Sequence, residues 1–101
     1  MSSSINAFAP NYAGAISVSP GTTTASTSCG QGSGVIVCTN LGSVVVYVKT
    51  GISTVTATTT TSYPILPLTQ VSLSKSDQDT HVAYITASGT GSLHVMPGEG
   101  I

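Results

Sequence analysis

The chain has 101 residues, which is the length of a single domain, and its formal net charge is −1. Charged residues make up 5% of the chain and Arg is absent, whereas about 25% of a typical soluble domain is charged. These features exclude the basic surface that binds nucleic acid, and no apolar run is long enough to span a bilayer. Hydroxyl groups take the place of charge, because Ser and Thr contribute 16 residues each. Thr favours strands and Ser favours turns, so the composition indicates an all-β fold.

The N-terminal segment, residues 1–14, is predicted to be an extended arm in front of a β-domain formed by residues 15–101. Pro10 interrupts any regular element in it. Its large side chains are Phe8 and Tyr12, and aromatic residues are enriched at interface cores. We therefore expect Phe8 and Tyr12 to contact a neighbouring subunit; the alternative is a disordered arm.

Two polar strands follow the arm. Residues 15–19 alternate, with Ile16 and Val18 on one face, which predicts a half-buried strand. Residues 22–28 consist mainly of Thr and Ser and predict a polar strand or an edge segment.

The clearest pattern lies in residues 33–58, where three strands are predicted at 35–39, 43–49 and 52–58. Asn40-Leu41-Gly42 and Thr50-Gly51 have the composition of tight hairpin turns. The sequence therefore predicts a β-meander in this region.

The middle strand of this meander is apolar on both faces, since Val44, Val46 and Val48 alternate with Val45 and Tyr47. In an antiparallel protein such a strand has to be covered on both sides. One face is expected to join the core. The face with Val45 and Tyr47 then needs a second layer or another subunit, so these two residues are predicted to form an interface.

Residues 63–68 carry two prolines, which fit an edge strand or a crossover between sheets. A short strand is predicted at 70–73 with Val71 and Leu73 facing inward, and a last hairpin is predicted from 81–87 and 92–96. Seven or eight strands separated by turn signals indicate an antiparallel β-sandwich or jelly-roll with a short extended N-terminal arm.

The residues of a catalytic centre are missing from the pattern. There is no Gly-x-Ser-x-Gly motif, no phosphate loop with its Lys, and no pair of carboxylates in an apolar setting. We therefore predict that the chain is not an enzyme and needs no cofactor. Asp77, Asp79 and His81 would share one side of an extended segment and could ligate a cation, but a solvated loop is the alternative.

The two cysteines, Cys29 and Cys38, flank a glycine-rich loop. The loop is flexible enough for a disulfide, and the alternative is two small buried thiols.

Three blocks of the sequence resemble a family. Residues 37–51 (VCTNLGSVVVYVKTG), 80–87 (THVAYITA) and 89–100 (GTGSLHVMPGEG) are similar to a recurring strand-and-turn pattern in short virion proteins of tailed phages. The likeness covers residues 15–101, and the family is that of the small capsid decoration, or cement, proteins.

The resemblance implies a β-sandwich or jelly-roll that binds the outer surface of a phage head and locks neighbouring capsomers. It implies the major capsid protein and further copies of the chain, as a homodimer or homotrimer, as partners, with no nucleic acid and no membrane. The protein would then be assembled in the host cytoplasm and located on the virion. The alternative is a receptor- or glycan-binding module of a phage tail or fibre, with Tyr63 and Tyr84 as its candidate aromatic contacts.

Overall fold

The computed structural model describes residues 8–29, 34–76 and 78–99, and these ranges form nine strands and one 3-10 turn. The predicted all-β class is confirmed. The 3-10 turn is Tyr12–Gly14. The strands are β1 Ala9–Pro10, β2 Ile16–Val18, β3 Ala25–Ser28, β4 Val35–Asn40, β5 Val46–Gly51, β6 Tyr63–Ile65, β7 Thr69–Ser74, β8 His81–Thr86 and β9 Leu93–Glu99.

The strands form two antiparallel sheets that pack face to face. Sheet A has the order β1-β9-β4-β7, with β2 also paired to β9, and sheet B has the order β3-β8-β5-β6. The antiparallel pairs β2–β9, β3–β8, β4–β7 and β5–β6 are nested in the sequence, each inside the one before. This nesting is the wrapping of a jelly-roll, so the predicted sandwich is of that type.

The predicted meander is wrong. β4 lies in sheet A between β7 and β9, whereas β5 lies in sheet B between β6 and β8. Residues 52–58 form no strand, and β8 and β9, predicted as a hairpin, also lie in different sheets. Both errors have the same cause, because alternation identifies a strand but does not identify the strand that pairs with it.

A buried amide turns the chain from one sheet to the other. Asn40 ends β4 with no exposed surface. Its Nδ2 donates to the carbonyl oxygens of Val44 (2.8 Å) and Ile65 (2.9 Å), and its Oδ1 accepts from the backbone N–H of Gly42 (3.0 Å). The side chain therefore ties the β4–β5 connection to β6, and the expected hairpin turn is a corner between sheets.

The core lies between the two sheets and is built from small branched side chains. Ile36, Val46, Ile65, Leu93 and others are at most 1% exposed. Ile16, Val18, Val71 and Leu73 pack against this cluster, as the alternation predicted for each of their strands.

The chain itself covers part of the outer face of sheet B. The segment 52–62 leaves β5 after Gly51, and the N–H of Ala57 donates to Oγ1 of Thr24 at 2.8 Å. Thr24 precedes β3, and β8 separates β3 from β5, so the segment crosses β8. Ala83 of β8 points away from the core yet has no exposed surface, and Ala57 is 3% exposed. We name residues 52–62 the crossing segment.

The apolar strand β5 was predicted to need a second layer on its reverse side. Val46 and Val48 face the core, while Val45 and Tyr47 on the reverse side are half-buried within the monomer. Another subunit is therefore not required to remove most of that face from water.

Replacing the corner amide should destabilise the fold. In Asn40→Ala, the buried carbonyl oxygen of Ile65 and the partly buried one of Val44 lose their donor, and each unsatisfied buried group costs about 1–3 kcal/mol. We expect the free energy of unfolding, measured by urea titration with circular dichroism, to fall by about 2–4 kcal/mol. The control is Asn11→Ala, at an exposed Asn whose side chain makes no capping hydrogen bond, and an equal loss in both variants would contradict the role of Asn40.

Candidate functional site

The described part of the predicted arm belongs to sheet A. Ala9 pairs with Glu99 and Pro10 with Gly98, so β1 extends the sheet alongside β9. The ring of Phe8 lies over Gly98: a Cβ built on that glycine would come within 2.7 Å of the ring and would also overlap the carbonyl oxygen of Ala9. Phe8, predicted to contact a neighbour, thus packs against its own chain. Residues 1–7 lie outside the described residues.

A groove of about 350 Å³ runs over the outer face of sheet A, next to the arm. Phe8, Tyr12, Val37 and Met96 supply apolar surface, and His94 and Gln70 are among its polar residues. Gln70 donates from Nε2 to Oγ1 of Thr39 at 2.8 Å, so its amide is held by its own sheet. Tyr12 stands at the rim with 76% of its surface exposed.

The four predicted contact residues do not form one surface. Phe8 and Tyr12 lie at the outer face of sheet A, whereas Val45 and Tyr47 lie on the reverse side of the core-facing residues of β5, in sheet B. They are therefore on opposite sides of the sandwich and would have to contact different partners.

The largest concentration of exposed aliphatic side chains is at one end of the sandwich, which sequence reasoning missed. Leu41, Leu66 and Leu68 are 59%, 59% and 82% exposed. Leu41 follows Asn40, and the Asn40 amide binds the carbonyl that precedes Leu66. Leu68 precedes Thr69, which pairs with Asn40. All three leucines are thus adjacent to one buried anchor, and we name this surface the leucine end.

Leu68 has an unusual backbone as well as an exposed side chain. Its φ is 57°, a positive value that glycine or asparagine normally adopts. Leu68 is the single non-glycine residue with positive φ among those described. For an L-residue with a Cβ this conformation costs about 1–2 kcal/mol. Strained residues of this kind cluster at functional sites. In the sequence, this surface could have been suspected only from the leucines that lie in the Pro-containing crossover.

The described charged residues lie away from the leucine end. Glu99 accepts from the N–H of Gly34, Lys75 donates from its backbone to the same residue, and Asp79 accepts from Oγ1 of Thr50. All of these contacts lie at the end of the strands that is opposite the leucine end. Lys49 pairs with Ala83 and lies between the two ends. The two ends of the sandwich therefore differ: the leucine end is apolar and uncharged, and the opposite end carries charged residues.

The candidate cation site is not assembled in the described residues. Asp79 receives a hydrogen bond from Thr50 at 3.1 Å, and Nδ1 of His81 is 2.7 Å from Oγ1 of Thr80. Asp77 lies outside the described residues. Over the ranges that the structure describes, no three His, Cys, Asp or Glu side chains come together, and every buried side-chain nitrogen and oxygen has a partner.

The two cysteines are buried free thiols, which agrees with the second of the two interpretations. Burial raises the pKa of the Cys38 thiol to about 12, and the neighbouring Cys29 adds to the rise. Burial also raises the pKa of Cys29. Neither thiol is a ready nucleophile, because the thiolate is the reactive form.

The aromatic residues proposed for glycan contact lie on either side of Val48 in sheet B, but one of them is buried. Tyr84 belongs to the core and is 8% exposed, whereas Tyr63 is 45% exposed on the edge strand β6. They do not form a joint aromatic platform.

Comparison with known proteins gives no relative. No family model matches the chain, and no curated protein and no solved structure is significantly similar to it. Within residues 8–29, 34–76 and 78–99 there is also no helix with the length and apolar character needed to cross a membrane.

The packing of Phe8 on Gly98 can be tested with one methyl group. In Gly98→Ala, the added Cβ overlaps the ring and the Ala9 carbonyl oxygen, so β1 should detach from β9. We expect faster amide hydrogen exchange at Ala9 and at Asn11, whose N–H donates to the carbonyl oxygen of Pro97, and an earlier proteolytic cut in this segment. Gly21→Ala is the control, because nothing lies within 4 Å of a Cβ at Gly21; unchanged exchange in Gly98→Ala would contradict the packing.

Stability should fall at high pH because of the buried thiol. Above about pH 9 the unfolded chain releases the Cys38 proton, whereas the folded chain retains it up to about pH 12. The unfolding free energy should therefore decrease by up to about 1.4 kcal/mol per pH unit in this window, with stability fully present below it. Urea titrations of wild type and Cys38→Ala under reducing conditions measure the difference, and identical pH slopes would refute the prediction.

Proposed function

We propose that the protein is a structural virion component, a capsid decoration or cement protein that binds the outer surface of a phage head. The leucine end carries the proposal. Leu41, Leu66 and Leu68 present apolar surface without nearby charge, and such surface on a small domain is expected to be covered by another protein. We place the major capsid protein against this end.

The leucine end is held in one conformation before it binds. The Asn40 amide bonds the chain on both sides of the corner, and Oγ1 of Thr69 donates to the carbonyl oxygen of Pro67 at 3.0 Å. Little conformational entropy is then lost when the leucines are covered, and this favours binding by a small contact area.

The charged end would face solvent in this arrangement. Lys75, Asp79 and Glu99 lie there, so the decorated particle would keep hydrated ionic groups on its outside. Binding to the assembled lattice and not to free capsid subunits would stabilise the lattice by mass action. The jelly-roll itself is compatible with other functions and does not select this one.

A single substitution separates binding from folding. Leu68→Asn relieves the strain at positive φ, because Asn tolerates this conformation, and removes the most exposed leucine. The free energy of unfolding should rise by about 1 kcal/mol. The amount that co-sediments with heads of the phage that encodes the chain should nevertheless fall at least tenfold.

The control is Ile52→Asn, which removes an equally apolar side chain that is 60% exposed but lies in the crossing segment. It should leave head binding unchanged. Gel densitometry of purified virions gives the copy number, with hundreds of copies expected for a shell protein. Wild-type protein that does not bind heads would refute the decoration role, and unchanged binding by Leu68→Asn would refute the leucine end as its surface.

A further inference from the structure

Within the described residues, the edge of sheet A formed by β7 has backbone groups without a strand partner. Among these residues, β7 pairs with β4 alone. The backbone N–H of Lys75 donates to the carbonyl oxygen of Gly34 at 2.9 Å, one position beyond the pair Val35–Ser74, so the N–H of Lys75 points toward β4. Because bonded and non-bonded pairs alternate in an antiparallel ladder, every second residue of β7 points its N–H and C=O away from β4. These residues are Gln70, Ser72 and Ser74.

β7 also lacks the features that keep natural sheet edges apart. It has six residues and is the longest edge strand in the described ranges, and it contains no proline and no charge. The shorter edge strands β1 and β6 each contain a proline. Proteins normally block exposed edges with proline, charge or bulges, so an unblocked edge of this length is expected to be paired.

The sequence of β7 matches itself in the antiparallel direction. Around Ser72 as a centre, Val71 and Leu73 are apolar on both sides, and the next residues outward are polar on both sides. Val71 and Leu73 face the core and are half-buried, whereas Ser72 is exposed on the other face. A two-fold contact requires this kind of self-complementary surface.

We infer that two copies of the chain pair through β7, antiparallel, about a two-fold axis at Ser72. Ser72 then exchanges both backbone hydrogen bonds with its counterpart, and Gln70 exchanges both with Ser74 of the second copy. Every outward backbone group of β7 is satisfied in this register. Val71 lies opposite Leu73 of the second copy, so the pairing also extends the core across the edge.

No charge opposes the contact. Lys75, the nearest charged residue among those described, lies opposite Thr69 of the second copy in this register and not opposite itself. The strand that pairs with β7 is therefore that of a second copy of this chain. The experiment distinguishes this pairing from pairing with a strand of another protein. The inference does not rest on the decoration role, because it concerns the isolated chain.

The experiment is sedimentation equilibrium of the purified full chain over a hundredfold concentration range, under reducing conditions. Wild type should show a monomer–dimer equilibrium. Ser72→Lys and Ser72→Glu each place like charges opposite each other at the two-fold axis. We expect the dimer of each variant to be at least tenfold weaker than that of wild type, so that the variant is mainly monomeric. An equimolar mixture of the two variants should form dimers again, because residue 72 then faces an opposite charge.

The controls test the surface and the fold. Ser28→Lys puts the same charge on the edge strand β3 and should leave the association unchanged. Ser72→Cys should form an intermolecular disulfide under mild oxidation, since bonded residues across such a pair lie about 5.5 Å apart, and Cys29 and Cys38 are buried. Urea midpoints equal to wild type show that the variants fold.

Three results would overturn the inference. They are a wild type that remains monomeric throughout the range, a dimer that persists in Ser72→Lys, and a mixture of the two charged variants that stays monomeric. A dimer that Ser72→Lys leaves intact would place self-association on another surface.

Discussion

The side-chain amide of Asn40 holds together the point where the chain leaves one sheet for the other. It satisfies the carbonyl oxygens of Val44 and Ile65 and accepts from Gly42 in a site without exposed surface. In the low dielectric of the interior an unpaired polar group is expensive, so this corner has one satisfied arrangement. The position of β5 opposite β4, the crossover from β6 to β7 and the projection of three leucines at the leucine end all depend on it.

Two apolar surfaces of the fold, the reverse side of β5 and the leucine end, differ in how far they are exposed to water, and the proposed function depends on this difference. The reverse side of β5 is half-buried within the monomer, and the crossing segment, bound to Thr24, covers Ala83 on the outer face of β8. The leucine end has no such cover from the part of the chain that the structure describes, although its leucines are more exposed than most apolar residues in that part. A chain with 5% charged residues keeps little ionic surface to hydrate an uncovered apolar patch. We therefore propose the partner contact at this patch and not at the valine strand.

The two contacts that we propose lie on different parts of the sandwich. The leucine end is formed by loops at one end of the strands, whereas the free edge of β7 runs along the side of sheet A. A subunit could therefore use one contact for a second copy and the other for a shell without conflict between the two. The groove beside Phe8 and Tyr12 remains separate from the leucine end, on the outer face of sheet A.

Alternation in the sequence determined the strands and their inward faces, because Ile16, Val18, Val71 and Leu73 pack on the core as the period of two predicts. Composition likewise determined the all-β class, since Thr and Val favour extended backbone. The tertiary structure alone decided which strands pair, because jelly-roll pairs such as β2–β9 join residues far apart in sequence and no local pattern encodes the partner. It also decided that Phe8 packs on Gly98, that Val45 and Tyr47 lie away from the arm, and that Leu41, Leu66 and Leu68 meet at one end. Each of these depends on the sheet to which a strand is assigned, and that assignment follows from burying the whole chain at once.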